Sequence, residues 1–272
     1  MTTTSSTADH RPPCSLTRER ELSFLIPHSL TYKGNGGHPR TPCITFHIPP
    51  SSTMTELSQI ERRDRQMAYI VDSTIMDEVR VCHERLHRLN ALGRADIAEL
   101  LEATQAVLGS SPGDAIICPP FHADYGSHTH VGKHFFANYN CTILDVAKVT
   151  IGDNVMLAPN VAIYTAGHPI HPDTRNSGYE YGKEVVIGSN VWIGGNCVIC
   201  PGVTIGSNVV IGAGSVVTRD IPDWCVAAGN PCRVLRPITN ADRRKLFHDE
   251  EIDDAAWADI VQRGLAAEDT EQ

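Results

Sequence analysis

The chain has 272 residues, enough for a substantial core and for two domains, and its 32 acidic against 23 basic residues leave a net charge of −9. Residues 241–272 hold ten acids and four bases, or −6 of that total, so the rest is only mildly acidic and neither part offers the basic face that a nucleic-acid backbone requires. No apolar run approaches the ~20 residues that span a bilayer, and nine cysteines with a single CxxC, in a chain without an apolar signal segment, fit reduced thiols and a cytoplasmic protein that takes small ligands.

Residues 1–53 are rich in Ser, Thr, Pro and His, with Phe24-Leu25-Ile26 as the one apolar cluster, and predict a disordered extension. Met54 opens a helical stretch, and a start there would suffice for the folded part. Residues 54–112 have a helical period: Ser58 and Glu61 are spaced as a capping box, Ile75, Val79, Cys82, Leu86 and Leu89 step along one stripe, and Ile97, Leu100, Leu101, Val107 and Leu108 along another. Three short amphipathic helices cannot bury a core alone, so they are expected to pack across the start of the next region.

Residues 113–238 have a different period. After Pro119-Pro120, Val131, Ala137 and Ile143 fall six apart, a two-residue slip follows, and Ile151, Leu157 and Ile163 resume the step. Ile187, Ile193, Ile199, Ile205, Ile211 and Val217 continue it, usually with Gly next. No helix keeps residues six apart on one face. At about 3.3 Å per extended residue, six residues with their turn make a side of roughly 15–20 Å, and three sides close a triangular coil. The region therefore reads as a β-solenoid in which the first residue of each six points inward and Gly, Asn and Asp take the turns. Cys197 and Cys200, the one CxxC, lie inside this period and read as packing rather than as a zinc site. Residues 167–183 lack the aliphatic step and carry His, Asp, Arg, Asn and Tyr, which predicts a polar loop leaving the prism. Residues 239–272 form an acidic tail with helical spacing around Ile252, Trp257 and Ile260.

The blocks FHADYGSHTHVG, FANYNCTILD, VTIGDNVMLAPNV, YTAGHPIH, VVIGSNVWIGGNCVICPGVTIG, VIGAGSVVTRDIP and AAGNPCRVLR, in this order over residues 67–237, resemble the maltose and galactoside O-acetyltransferases of the hexapeptide-repeat transferase family. The resemblance implies a mainly β protein, a left-handed parallel β-helix with a short N-terminal helical region and a helical C-terminal tail. It also implies a homotrimer with sites in the clefts between chains, acetyl-CoA as co-substrate without a metal, and a sugar acceptor of the maltose, glucose or galactoside type.

Transfer of an acetyl group to a neutral hydroxyl needs a base, and a neutral imidazole supplies one. His168 stands at the catalytic His of the family's GHP motif; His171, three residues on, reads as loop structure. The oxyanion that forms needs aimed N–H donors, and the resemblance sets Gly195 beside the thioester and Trp192 along the cleft. Asn138, Asp124 and Asp72 match acceptor positions, with turn-former or helix-cap roles as their structural alternatives, and Asp145 stands either at the cleft or in a turn. Ala213, Thr218, Arg219, Arg233 and Arg236 match coenzyme positions, Arg219 standing where relatives commonly have Lys. The chain departs from the family at His128 and Thr129, where relatives usually carry Asn and an aliphatic residue, which points to a different acceptor. Two rival readings are a zinc carbonic-anhydrase-like enzyme, drawing on His122, His128, His130 and His134 with His128 and His130 on one face, and a non-catalytic trimeric scaffold.

Overall fold

The computed structural model describes residues 56–92, 96–246 and 248–266; the extension predicted for residues 1–53 lies outside them. Helix α1 (Gln59–Asp64) begins at the expected capping box, with the Glu61 N–H donating to Ser58 Oγ and the Ser58 N–H to Glu61 Oε2. Asp72 caps α2 (Ser73–Ala91) by accepting the Ile75 N–H at 3.0 Å, and Asp96 caps α3 (Ile97–Val107) in the same way. Helix α2 buries Ile75, Cys82, Leu86 and Leu89 of its predicted stripe. Helix α3 buries Leu100, Ala103, Thr104 and Val107, whereas Ile97, in the first turn, is 51% exposed because no described residue covers that end of the stripe. Both helices share one apolar core with the first coils of the solenoid.

The prism has three faces of stacked strands, parallel throughout except for the chain's return at the end. The first face stacks Ile116–Ile117, Phe136–Ala137, Met156–Leu157, Trp192–Ile193, Val209–Ile211 and Cys225–Ala228, one strand from each of six coils. The second stacks Phe121–Ala123, Cys141–Leu144, Ala162–Tyr164, Val198–Ile199 and Val216–Val217. Thr129–Val131, Val149–Ile151, Val185–Ile187 and Thr204–Ile205 make the third. The first strand therefore precedes the Pro119-Pro120 pair rather than following it. Every aliphatic repeat residue is buried, so that Leu157, Ile193 and Ile211, or Ile163, Ile199 and Val217, stack in columns through the core. Each such side chain contributes about 1.5–3 kcal/mol by leaving water.

The turns divide their chemistry between two residue types. Asn140, Asn154, Asn160, Asn190, Asn196 and Asn208 hold the left-handed conformation, which Asn tolerates better than most residues. The glycines after the aliphatic residues are needed for close approach instead: a Cβ on Gly188 would lie 2.8 Å from the carbonyl carbon of Gly206 in the next coil. Between coils the Asn154 amide donates to Asn190 Oδ1 at 3.0 Å and the Asn190 amide to Asn208 Oδ1 at 2.9 Å, a ladder along the edge between the third and first faces.

Beyond the last coil the chain turns back as an antiparallel strand, Arg233–Pro237, on Cys225–Ala228. The acidic tail then forms a last helix, Asp254–Gln262, with the Arg243 and Arg244 guanidiniums over the Trp257 ring at 5.1 and 5.7 Å. No helix among the described residues is long and apolar enough to cross a membrane.

Candidate active site

Departures from the six-residue step gather on one edge of the prism. Where the second face passes to the third, eight residues separate Ala123 from Val131 and Ile143 from Ile151, and the polar loop lies between Ile163 and Ile187; later coils return to six at Ile199 and Ile205. Asp145, wholly buried, anchors the wider corner. It accepts the N–H groups of Tyr125 (2.9 Å) and Gly126 (3.1 Å) on Oδ1 and the Thr129 hydroxyl (2.9 Å) on Oδ2. Of its two expected settings, the turn is the one observed. Thr129 thus serves the scaffold, and His128 does so too: its Nδ1 lies 2.7 Å from the Asp145 carbonyl, which only accepts, so Nδ1 carries the proton.

The loop leaves this edge as expected. Ala166–Gly167 pairs antiparallel with Tyr181–Gly182, and the short helix α4 (Pro172–Arg175) lies between them. A Cβ at position 167 would meet the Tyr181 ring at 2.7 Å, which explains the glycine before His168. Arg175 donates to the carbonyls of Pro169 (3.3 Å) and Ile170 (2.7 Å) and so fixes the backbone after the histidine. The His168 imidazole is 58% exposed, with Nε2 4.0 Å from Glu180 Oε2. Glu180 is held in turn by Tyr69: their backbones exchange two hydrogen bonds of 3.0 Å, and the Tyr69 hydroxyl donates to Glu180 Oε1. Burial first, and Glu180 second, push the Tyr69 phenol well up, so it remains a donor.

Asp124 lies on the same edge. Burial pushes its carboxyl up to about 6, Asp145 and Glu180 add to the shift, and His83 opposes it. Asp72 shares the region through the start of α2 but spends Oδ1 on the helix cap. Thr218 and Arg219 follow Val216–Val217 on this edge, further along the prism, both exposed.

Asn138, Gly195 and Ala213 occupy a different edge, between the first and second faces. There Asn138, Ala158, Gly194, Gly212 and Ala228 succeed one another coil by coil: the N–H of Asn138 donates to Leu157, that of Ala158 to Ile193, that of Gly194 to Ile211 and that of Gly212 to Ala227. This column of mostly small residues forms a shallow shelf along the edge. Asn138, half-buried, accepts the Tyr139 N–H on Oδ1 at 2.8 Å, a turn role. The Gly194 N–H is used by Ile211, whereas that of Gly195 has no backbone acceptor among the described residues. Trp192 is 51% exposed on the adjoining first face. Arg233 and Arg236 stand on the return strand, Arg236 in a two-point pair with Asp242 at 2.9 and 3.0 Å.

One chain thus brings Asp72, Asp124 and His168 into one neighbourhood and sets Asn138, Gly195 and Ala213 apart from them across the second face. Glu180 and Tyr69 are the site residues the sequence does not reveal. Glu180 stands inside the predicted polar loop, but its partner is 111 residues away, with no local signal. The four histidines of the zinc reading do not converge. His122 lies on the second face, His130 on the third beside Ser110, His128 turns to Asp145, and His134 pairs with Asp114; among the described residues no group of three His, Cys, Asp or Glu side chains is placed to hold a metal. His128 and His130 do border one hollow, of about 230 Å³. Cys197 is buried with its thiol on the Gly212 carbonyl, and Cys200 is half-buried.

A triangular prism of hexapeptide coils, with a histidine-bearing loop on one edge and a small-residue shelf on another, defines a hexapeptide-repeat acyltransferase. Residues 184–219 match the family model described as bacterial transferase hexapeptide (six repeats). The galactoside O-acetyltransferase of Escherichia coli (strain K12) is 51% identical over 140 residues, 52% of this chain and 69% of that protein. The crystal structure of a maltose O-acetyltransferase from Clostridium difficile 630 superposes with a TM-score of 0.66 at 47% identity, covering 68% of this chain and 99% of that one. A galactoside acetyltransferase in complex with coenzyme A gives a TM-score of 0.70 at 38% identity, covering 73% and 100%. The chain belongs to the hexapeptide-repeat transferases, within their maltose and galactoside O-acetyltransferase group.

Proposed function

We propose that this chain is an acetyl-CoA-dependent O-acetyltransferase that acetylates a hydroxyl of a sugar of the maltose, glucose or galactoside type, working as a cytoplasmic homotrimer. The observation that carries the reading is the His168–Glu180–Tyr69 relay on the widened edge. His168 takes the proton of the acceptor hydroxyl as its oxygen bonds to the thioester carbonyl carbon. The Glu180 carboxylate faces the positive charge the ring then carries. The Gly195 N–H donates to the carbonyl oxygen as it becomes an anion. When the C–S bond breaks, the imidazolium returns its proton to the departing thiolate, so no acetyl-enzyme forms. Asp124 and Asp72 receive acceptor hydroxyls, and Asn138 offers its amide.

The coenzyme is assigned to the small-residue shelf, with Trp192 along its flank, Ala213 beneath the pantetheine arm, and Thr218, Arg219, Arg233 and Arg236 toward the phosphates. Two observations support a site shared between copies. His168, Thr218 and Arg219 lie on one edge while Asn138, Gly195 and Ala213 lie on another, so a seam between unlike edges of two chains unites the set. The outward residues of the first face, Ile116, Phe136, Met156, Trp192, Val210 and Val226, also form an apolar ladder through all six coils, whereas the third face shows His130, Thr150, Val186 and Thr204.

The test follows thiol release from acetyl-CoA with glucose, maltose, galactose and lactose, alone and with His168→Ala. Release that depends on the sugar and falls about a hundredfold or more in the variant is the expected result. Absence of release with every sugar favours the scaffold reading.

A further inference from the structure

Helix α2 contains the run His83-Glu84-Arg85-Leu86-His87, with its two histidines four residues apart. That spacing sets both imidazoles on one helix face, an arrangement with which a single helix grips a zinc ion. So short a run also arises by chance, and its setting decides what it means. His83 and His87 follow Cys82 and Leu86 of the buried stripe, which holds the pair at the rim where the helix meets the prism. Both side chains are exposed, and neither makes a hydrogen bond to another described residue. Both border an open hollow of about 410 Å³, which His122 and Asp124 border from the second face and the widened edge. Asp124 and His83 are close enough for their charges to interact, and the Asp124 carboxyl also makes no hydrogen bond to a described residue. Glu84, between the histidines, is paired with Arg80 at 2.9 Å in solvent, so the run supplies ligands without a base to activate water.

Neutral imidazoles and a carboxylate are the ligands that suit zinc and its neighbours. No three described side chains surround one point as they stand. Two histidines fixed to one helix face need no movement of the chain to chelate, however, and the exposed rings turn freely. We infer that His83 and His87 chelate a divalent transition-metal ion of the zinc class, with the Asp124 carboxylate as third ligand and water completing the shell. Asp124 is also the carboxylate assigned to an acceptor hydroxyl, so a bound ion draws it away and opposes the acceptor. That consequence rests on the sugar acetyltransferase reading, whereas the metal site stands without it.

Calorimetric titration of zinc chloride into the metal-free full chain, prepared without a histidine tag, tests the site. The first ion is expected to bind at least about tenfold more tightly than in His83→Gln/His87→Gln or in Asp124→Asn, since even the outer partner of a ligand contributes that much. Gln suits a helix interior, so the double variant keeps its fold. Zinc bound equally tightly by the double variant, or not bound by the unaltered chain, overturns the site; an affinity unchanged in Asp124→Asn overturns the carboxylate's part in it. With a sugar that is acetylated, zinc raises the KM for that sugar and leaves the KM for acetyl-CoA in place, while the double variant, active without zinc, does not respond. A sugar KM that zinc leaves unmoved in the unaltered chain overturns the competition. If no sugar is acetylated, the activity reading fails and the calorimetry still decides the metal site.

Discussion

Glu180 is the residue through which the acid–base chemistry is most open to test. It contacts His168 from one oxygen and Tyr69 from the other, so Glu180→Gln keeps an acceptor for the Tyr69 hydroxyl but removes the charge facing the imidazolium. About a tenfold fall in kcat with KM and Tm nearly unchanged is expected; a fall in Tm with kcat intact would make Glu180 a structural residue only. Asp124 gives a prediction in pH. The folded chain holds the Asp124 proton to about pH 6, mainly through burial, while the unfolded chain releases it near the ordinary value of 3.8. The stability this group contributes is fully present below pH 3.8 and is lost as pH rises through 6. Asp124→Asn, neutral at every pH, is therefore expected to raise Tm at pH 8 and to lose that gain toward pH 4, while kcat/KM for the acceptor drops. Melting curves of both proteins across that range check it, and a Tm difference independent of pH contradicts the burial argument.

At the scale of the coil, stability depends on interlocking turns as much as on the aliphatic columns. Gly188→Ala places a methyl against the backbone of the next coil, and Asn190→Ala loses both an αL-tolerant residue and two ladder hydrogen bonds. Each is expected to destabilise by about 1–3 kcal/mol, with Asn190→Gly milder than Asn190→Ala, as read by denaturant unfolding. The columns themselves were legible because burial of one residue in six leaves a period that chemistry elsewhere does not disturb. The turn logic was legible only in part: the sequence shows Gly and Asn at the corners, but not that most of the repeat glycines serve close approach while Asn carries the positive φ. Ile97 shows a further limit, since helical spacing defines a stripe without defining where its partner ends. His168 and its loop stood out because they interrupt the period. Tyr69 and Glu180 did not, because a hydrogen bond across 111 residues exists only once the loop folds back on the start of the helical region.

For the whole molecule, the arrangement of edges decides how the site is assembled. A histidine on the edge between the second and third faces and the small-residue shelf on the edge between the first and second lie a face's width apart in one chain. They meet if neighbouring prisms are related by rotation about a threefold axis, which presents unlike edges to each other at every seam. The apolar ladder of the first face, with Met156 50% and Trp192 51% exposed in the single chain, supplies surface for such contacts. In solution the chain is expected to sediment as a trimer, and Met156→Asp to shift it toward monomer with loss of acetyl transfer.

The most direct measurement is active-site complementation. One variant, His168→Ala, removes the proposed base, and a second, Ala213→Trp, fills the proposed coenzyme shelf; each is expected to be nearly inactive alone. If base and shelf come from neighbouring copies, co-refolding the two in equal amounts restores about a quarter of the unaltered activity per chain, the share of seams that pair an intact histidine with an intact shelf under random mixing. Mixed trimers that remain as inactive as either parent would contradict a site shared between copies.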